Sequence, residues 1–156
     1  MLESNLPMLR DRIYLAGPRF TPEAMATQER IEAMAQKFGW GIFSPRIELT
    51  LKKDSPKADI ERCFFMNVHG LKKCKLVLAN VEGYDTGTLW EMGAAYAYGT
   101  PLVVYSPNPD RKLNLMLAQG ANGFLAGWDA IENFLLPQED RAFNWSGVKR
   151  WDGEVF

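Results

Sequence analysis

Short runs of apolar residues alternate along the chain with segments in which apolar residues recur every three or four positions. The apolar runs predict strands, and the periodic segments predict helices. Strands are predicted at residues 12–17, 40–43, 75–81, 101–105 and 123–126. Helices are predicted at residues 22–38, 59–73, 88–98, 113–119 and 129–136, with a loop at 46–56 and an aperiodic aromatic tail at 137–156. This alternation is typical of an α/β fold with a mostly parallel five-stranded sheet.

The ends of the predicted strands indicate where a ligand would bind. A doubly wound parallel sheet binds its ligands beyond the carboxyl ends of the strands. Residues 16–20, 81–91 and 106–116 follow three of these strand ends, and residues 43–46 follow another. We therefore expect these four segments to lie at the same edge of the sheet.

The composition is that of an ordinary globular protein. The chain has 156 residues, of which 47% are apolar and 24% are charged, and this size fits a single domain. We expect one domain over residues 1–156, with an N-terminal extension at 1–11 and a C-terminal tail at 137–156. The formal net charge is -1, so the chain has no general attraction for a polyanion. Neither a nucleic-acid polymer nor a membrane is an expected partner.

Cysteine and histidine usage gives no sign of a metal centre. Cys63, His69 and Cys74 do not fit a familiar zinc-binding pattern. The two cysteines are interpreted as reduced thiols, and the N-terminal sequence lacks the apolar run of a signal peptide. We therefore expect a cytoplasmic protein.

Two acidic residues stand out in the segment that joins the third predicted strand to the next helix. Asp85 lies in a predicted turn, and Glu91 lies one turn inside the helix. The helix dipole favours the ionised form of a carboxylate near a helix N-terminus, which suits a nucleophile. The spacing of Thr88 and Glu91 also fits a capping box, and Asp85 also fits a turn or N-cap residue. Spacing alone leaves the structural and the catalytic interpretation open.

Four segments, in order along the chain, resemble the nucleoside 2-deoxyribosyltransferase family. They are residues 14–18 (YLAGP), Asn67, residues 85–93 (DTGTLWEMG) and residues 114–117 (NLML). The most specific part is the pattern D-x-G-x-x-x-E-x-G followed downstream by N-L-M. The resemblance implies a flavodoxin-like three-layer α/β sandwich that transfers 2-deoxyribose between nucleobases with retention. It calls for no metal and no organic cofactor.

The resemblance also implies a role for each matching side chain. Glu91 matches the nucleophile that forms a covalent deoxyribosyl-enzyme, and Tyr14 matches the tyrosine that positions it. Asp85 matches an aspartate that holds the substrate and is a candidate proton donor to the leaving base. Asn67 matches a base or sugar contact, although an amide cannot act as an acid. From spacing alone, Tyr14 also fits a buried core residue, and Asn67 fits the exposed side of its helix.

Five further residues are expected to bind substrate. Gly87 lets the backbone approach a ligand closely, and Gly17 lies in the loop after the first strand. Asn114 and Met116 match positions that complete a neighbouring subunit's pocket, and Phe156 matches a terminal aromatic residue that reaches an active site in part of the family. The implied partners are deoxynucleosides, free nucleobases and further copies of the chain. The expected homo-oligomer is built from dimers, and a dimer, a tetramer and a hexamer all remain open.

Two other functions remain as alternatives. A sister group hydrolyses deoxynucleoside 5′-monophosphates and carries serine and arginine in the loop after the first strand. The corresponding loop here has Arg19 but no serine, and Pro18 removes an N–H donor for a phosphate, so free nucleosides are favoured. The other alternative is a nucleoside- or nucleotide-binding module without turnover, against which the intact set of Tyr14, Asp85 and Glu91 argues.

Overall fold

The computed structural model describes residues 9–156, and these residues form a five-stranded sheet with helices on both faces. The strands are β1 (Arg12–Ala16), β2 (Gly41–Phe43), β3 (Leu76–Asn80), β4 (Leu102–Ser106) and β5 (Gly123–Ala126). Their order is β2-β1-β3-β4-β5, which is the flavodoxin-like order. Every neighbouring pair is parallel, so the sheet is parallel throughout rather than mostly parallel. The predicted α/β fold is confirmed.

Within residues 9–156, six α-helices cover the sheet. They are α1 (Pro22–Lys37), α2 (Pro45–Glu48), α3 (Lys57–Lys73), α4 (Thr86–Tyr98), α5 (Leu115–Gly120) and α6 (Gly127–Leu135). The side chains of β1 alternate between the two faces, so that Tyr14 joins a core with α3, α4 and α5, whereas Ile13 and Leu15 join a core with α1 and α6. This alternation is the period-two pattern of a strand buried on both sides. The result is the predicted three-layer sandwich.

The loop predicted at residues 46–56 is wrong in its first part, because α2 occupies Pro45–Glu48. Proline suits the first turn of a helix, since its missing N–H has no partner there in any case. One turn is too short for its apolar residues to show a period, which explains why the pattern did not reveal it. The helix is also tied to α1 by the Arg46 and Glu32 side chains.

The C-terminal tail is aperiodic but well packed. Phe143 is buried, and its ring stacks on Trp40 and on Phe134, with centroids 4.3 Å and 5.1 Å apart. The chain then crosses β5 through an antiparallel bridge between Phe124 and Lys149 and returns to pair Val155 with Leu113. The tail therefore packs against β5 and against Leu113 instead of extending into solvent.

The predicted N-terminal extension lies mostly outside the described residues, since only residues 9–11 of it are included. Leu9 is buried in the core beside Tyr14 and Leu71, so this part of the extension is packed. Among the described helices, none has both the length and the apolar character that crossing a bilayer requires.

Candidate active site

The N-terminus of α4 is organised by Asp85. This residue is the N-cap of the helix, and its Oδ2 accepts hydrogen bonds from the Thr88 N–H (2.8 Å) and the Thr88 hydroxyl (2.9 Å). Gly87 allows the tight approach, because a Cβ there would lie 3.2 Å from the same oxygen. Both bonds go to Oδ2, which leaves the Oδ1 of Asp85 available to a ligand.

The capping-box interpretation of Thr88 and Glu91 is wrong. The helix begins at Thr86, two residues earlier than predicted, so Glu91 is its sixth residue and lies in the second turn. A capping box requires the glutamate at the third helical position, where it can reach back to the cap. Asp85 performs the capping instead, and Glu91 is free for another partner.

That partner is Tyr14 on the central strand β1. The Tyr14 hydroxyl donates a hydrogen bond of 2.7 Å to Oε1 of Glu91, across 77 residues of sequence. The tyrosine ring is fully buried and stacks on Phe43, with centroids 5.3 Å apart. Gly70 of α3 packs directly against this ring, since a Cβ there would lie 2.9 Å from Tyr14 Cδ2. Tyr14 is thus both a core residue and the partner of Glu91.

The environment of Glu91 makes the carboxylate hard to ionise. Burial raises the pKa of Glu91 to about 7; the Tyr14 hydrogen bond and the charge of Arg19 oppose this rise, whereas the charge of Asp85 adds to it. Burial therefore acts against the ionised form of Glu91, which the helix dipole favours. The dipole weakens beyond the first turn, whereas removal of water acts on the whole group. Burial also raises the pKa of Tyr14 well above its ordinary value, so the hydroxyl stays protonated and donates.

Glu91 lies in a cavity of about 270 Å³ at the carboxyl edge of the sheet. Five of the residues predicted from sequence line this cavity: Gly17, Asn67, Asp85, Gly87 and Glu91. They come from the β1–α1 loop, from α3 and from the start of α4, which meet because β1 and β3 are adjacent. The expected convergence of strand ends holds for these segments. Tyr14 lies behind Glu91 rather than in the wall.

Asn67 faces the cavity and not the exposed side of α3. Its Oδ1 is buried and has no hydrogen-bond partner among the described residues. A buried amide oxygen without a partner is costly unless something else supplies a donor. A hydroxyl or N–H group of a substrate would satisfy this requirement.

Gln28 is a lining residue that the sequence interpretation missed. It lies on α1, is buried, and points its Nε2 at the Leu15 carbonyl oxygen 3.5 Å away. Gly17 is required beneath it, since any Cβ at that position would collide with the Gln28 side chain. The signal was present in the sequence, because Gln28 occupies the same helical stripe as the buried residues Ala24 and Ile31. A polar residue in an apolar stripe marks a site worth testing.

Asn114, Met116 and Phe156 do not line this cavity. Asn114 caps α5 through its Oδ1, which accepts from the Met116 N–H (2.9 Å), and its Nδ2 donates to the Phe156 carbonyl oxygen (3.0 Å). Met116 is 76% exposed and borders an apolar groove of about 460 Å³ between α4 and α5. The three residues thus form a separate group on the surface, and their predicted role toward a neighbouring subunit stays a prediction.

No cluster of three or more histidine, cysteine or acidic side chains within residues 9–156 is arranged to ligate a metal ion. The chemistry available at the cavity is that of a buried carboxylate, a second carboxylate at a helix cap, and amide and guanidinium donors. Such groups can attack, hold and protonate a small organic substrate.

The sheet and the cavity define an α/β protein with a cavity at the carboxyl edge of a doubly wound sheet, where proteins of this class bind small molecules. The family model described as nucleoside 2-deoxyribosyltransferase matches residues 13–139, and the chain belongs to this family. The resemblance inferred from the motifs is thereby confirmed. The family is one of glycosyl-transferring enzymes.

Solved structures share the fold of the chain. The chain is similar to a 2-deoxyribosyltransferase from Bacillus psychrosaccharolyticus, with 28% identity and a TM-score of 0.69 over 79% of this chain and 91% of that one. A CMP N-glycosidase from Clostridium botulinum shares the fold at 16% identity, with a TM-score of 0.55 over 80% of this chain and 95% of that one. A conserved protein from Enterococcus faecalis V583 shares it at 23% identity, with a TM-score of 0.54 over 62% and 63% of the two chains. No curated protein sequence matches the chain.

Proposed function

We propose that the protein transfers 2-deoxyribose from one nucleobase to another with retention, through a covalent deoxyribosyl intermediate on Glu91. The observation that supports this most strongly is a glutamate in a ligand-sized cavity, held by one hydrogen bond from Tyr14. That bond occupies Oε1, which leaves Oε2 as the attacking atom. No cofactor is needed for the reaction.

The proposed reaction has two displacements at the anomeric carbon. In the first, Oε2 of Glu91 bonds to that carbon while the N-glycosidic bond breaks, and the bonding electrons leave with the base. The departing base takes up a proton, for which Asp85 and solvent are the candidate donors. In the second, a ring nitrogen of another base attacks the same carbon, loses its proton to Asp85 or solvent, and releases Glu91 as a carboxylate. Two inversions give net retention, as in retaining glycosidases.

Water must be kept from the intermediate for transfer to prevail over hydrolysis. We propose that the cavity of one subunit is completed by Asn114, Met116 and Phe156 of another copy of the chain. The apolar groove between α4 and α5 supports such association, because Tyr96 and Leu115 beside Met116 are also exposed. Large exposed apolar patches usually mark binding surfaces. Sedimentation of the protein would show whether a dimer or a larger assembly forms.

A second candidate is hydrolysis of deoxynucleoside 5′-monophosphates. One observation favours it: Arg19 lines the cavity and forms no ion pair with another described residue, so it is free to meet a phosphate. Pro18 next to it argues in the other direction, since it removes one backbone N–H from the loop. Free nucleosides remain our preferred substrates.

One set of incubations tests these functions. The protein is mixed with deoxyinosine and adenine, and we expect deoxyadenosine and hypoxanthine as products. Release of base and deoxyribose 5-phosphate from a monophosphate, with nucleosides inert, would instead establish the hydrolase. Thermal stabilisation by nucleosides without any base release would indicate a binding module. If Glu91→Ala exchanges bases as fast as the parent, the proposed nucleophile is wrong.

A further inference from the structure

Helix α1 buries a carboxylate that the proposed reaction does not use. Glu32 is 4% exposed, and it lies one helical turn after Gln28 on the side of α1 that faces the sheet. A buried carboxylate is costly unless it is paired and hydrogen-bonded, so its partners are informative.

The partners of Glu32 are two residues of the cavity wall. Its Oε1 accepts hydrogen bonds from the Ser44 hydroxyl (2.7 Å) and from Nε of Arg46 (3.2 Å), and its Oε2 pairs with Nη2 of the same arginine. Both Ser44 and Arg46 line the cavity that holds Glu91. Glu32 lies behind them and does not line it. The carboxylate therefore fixes a part of the wall from behind.

The charge around Arg46 disfavours an anionic ligand. Besides Glu32, Glu29 lies 3.4 Å from Nη1 of Arg46, so two carboxylates face a single guanidinium. A phosphate approaching this wall would meet no excess of positive charge, in contrast to Arg19 in the neighbouring loop. A neutral ligand with hydrogen-bond acceptors fits the Arg46 wall better.

The hydrogen-bonding pattern of Arg46 narrows the ligand further. Glu32 takes the edge of the guanidinium formed by Nε and Nη2. Of the five N–H groups of arginine, three then remain, two on Nη1 and one on Nη2. Glu29 lies on the Nη1 side, and one N–H from each Nη atom together form a pair of parallel donors. Such a pair matches two adjacent acceptors. A 6-oxopurine carries two acceptors of this kind, O6 and N7, at one edge of the base. Adenine offers one acceptor and one donor at the same edge, so it matches only half of the pair.

We propose that Arg46 recognises the 6-oxo edge of a purine base, and that Glu32 is the positioning residue that orients Arg46 for this contact. The proposal rests on the proposed function, because it assigns the base-binding end of the same cavity.

The test compares hypoxanthine and adenine as acceptor bases. We expect Arg46→Gln to raise KM for hypoxanthine by about tenfold while KM for adenine stays within about twofold, since one hydrogen bond to a charged group is lost. Arg46→Lys keeps the charge but loses the paired donors, and it should resemble Arg46→Gln. For all variants kcat should change less than KM, because Glu91 is untouched.

Glu32 is tested through a double-mutant cycle. Glu32→Gln should raise KM for hypoxanthine in the parent, and it should have no further effect once Arg46 is already glutamine. The matched control is Glu48→Gln, which removes the Arg12–Glu48 ion pair outside the cavity and should change neither KM. Thermal melting checks that each variant is folded, and the Arg46 variants decide the matter if Glu32→Gln does not fold.

Two results would overturn the proposal. One is an equal change in KM for both bases in the Arg46 variants. The other is that Glu32→Gln raises KM for hypoxanthine as much in the Arg46→Gln background as in the parent. If the parent protein exchanges no bases, the proposed function fails, and calorimetric binding of free hypoxanthine and adenine to the same variants still measures the preference. If Glu91→Ala abolishes exchange and the Arg46 variants change KM equally for hypoxanthine and adenine, only the inference about Arg46 fails.

Discussion

Two glutamates on opposite faces of the sheet approach the same cavity with different partners. Glu91 on α4 has a neutral phenol as its hydrogen-bond partner, whereas Glu32 on α1 is paired with the guanidinium of Arg46 and the hydroxyl of Ser44. A neutral partner compensates little of the carboxylate charge, so burial raises the pKa of Glu91 to about 7. A cationic partner compensates much more. The comparison teaches that a buried carboxylate with a neutral partner has a raised pKa, whereas one with a cationic partner is held in place by an ion pair and hydrogen bonds.

The largest expected difference concerns the covalent intermediate. Glu91→Gln removes the nucleophile and should lower base exchange by roughly 10⁴-fold or more, whereas Glu32→Gln should retain most of kcat. Mass spectrometry of protein quenched with a deoxynucleoside should find one deoxyribosyl group on the peptide that contains position 91 in the parent and in Glu32→Gln. Glu132→Gln, on the exposed face of α6, is a control for glutamate replacement in a helix. An adduct on Glu32 would reverse the assignment of the two roles.

A smaller effect should follow from Tyr14→Phe, which removes the hydroxyl that bonds to Glu91. The parent rate should rise with pH through about 7, because Glu91 must be ionised to attack. The Tyr14 hydrogen bond lowers the pKa of Glu91, so its loss should move this rising limb to higher pH. At neutral pH the rate should fall about tenfold, which is the effect of one hydrogen bond to a charged group. A pH–rate profile measures the shift, and an unchanged limb would show that another group controls it.

The smallest effect is on stability, and it should have opposite signs at the two sites. The pKa of Glu91 is raised from 4.5 to about 7, so the folded state binds more protons than the unfolded state in this window. The free energy of unfolding therefore falls as pH rises from about 4.5 to about 7. Glu91→Gln has no carboxyl group to ionise, so it should remove this fall in the free energy of unfolding. Its Tm should be higher than that of the parent by roughly 3 °C at about pH 8.

Arg46→Gln should instead lower Tm by a similar amount, because it leaves Glu32 buried without its cation. Melting curves at two pH values compare the variants, with Glu48→Gln again as the control. A Tm that falls in both variants would mean that Glu91 also serves to stabilise the fold.

The amino-acid pattern alone determined the architecture and the candidate nucleophile. Apolar runs and helical periods are local signals, so they predicted five strands and all helices except α2, and the motif around Asp85 and Glu91 indicated the family. These signals are carried by residues close together in the sequence. The sequence located the first residue of a helix less well. For α4, the capping side chain of Asp85 places the start at Thr86, two residues before the predicted start at Thr88.

Only the tertiary structure decided which residues meet. The strand order brings Tyr14 beside Glu91 across 77 residues and seats the aperiodic tail against β5. It also sets the pKa of Glu91, since the amount of water removed from a carboxylate depends on packing from several elements at once. The sequence could mark Gln28 and Glu32 only as polar residues on the apolar stripe of a helix. Their place beside the cavity follows from the packing of α1 on the sheet, which no local pattern encodes.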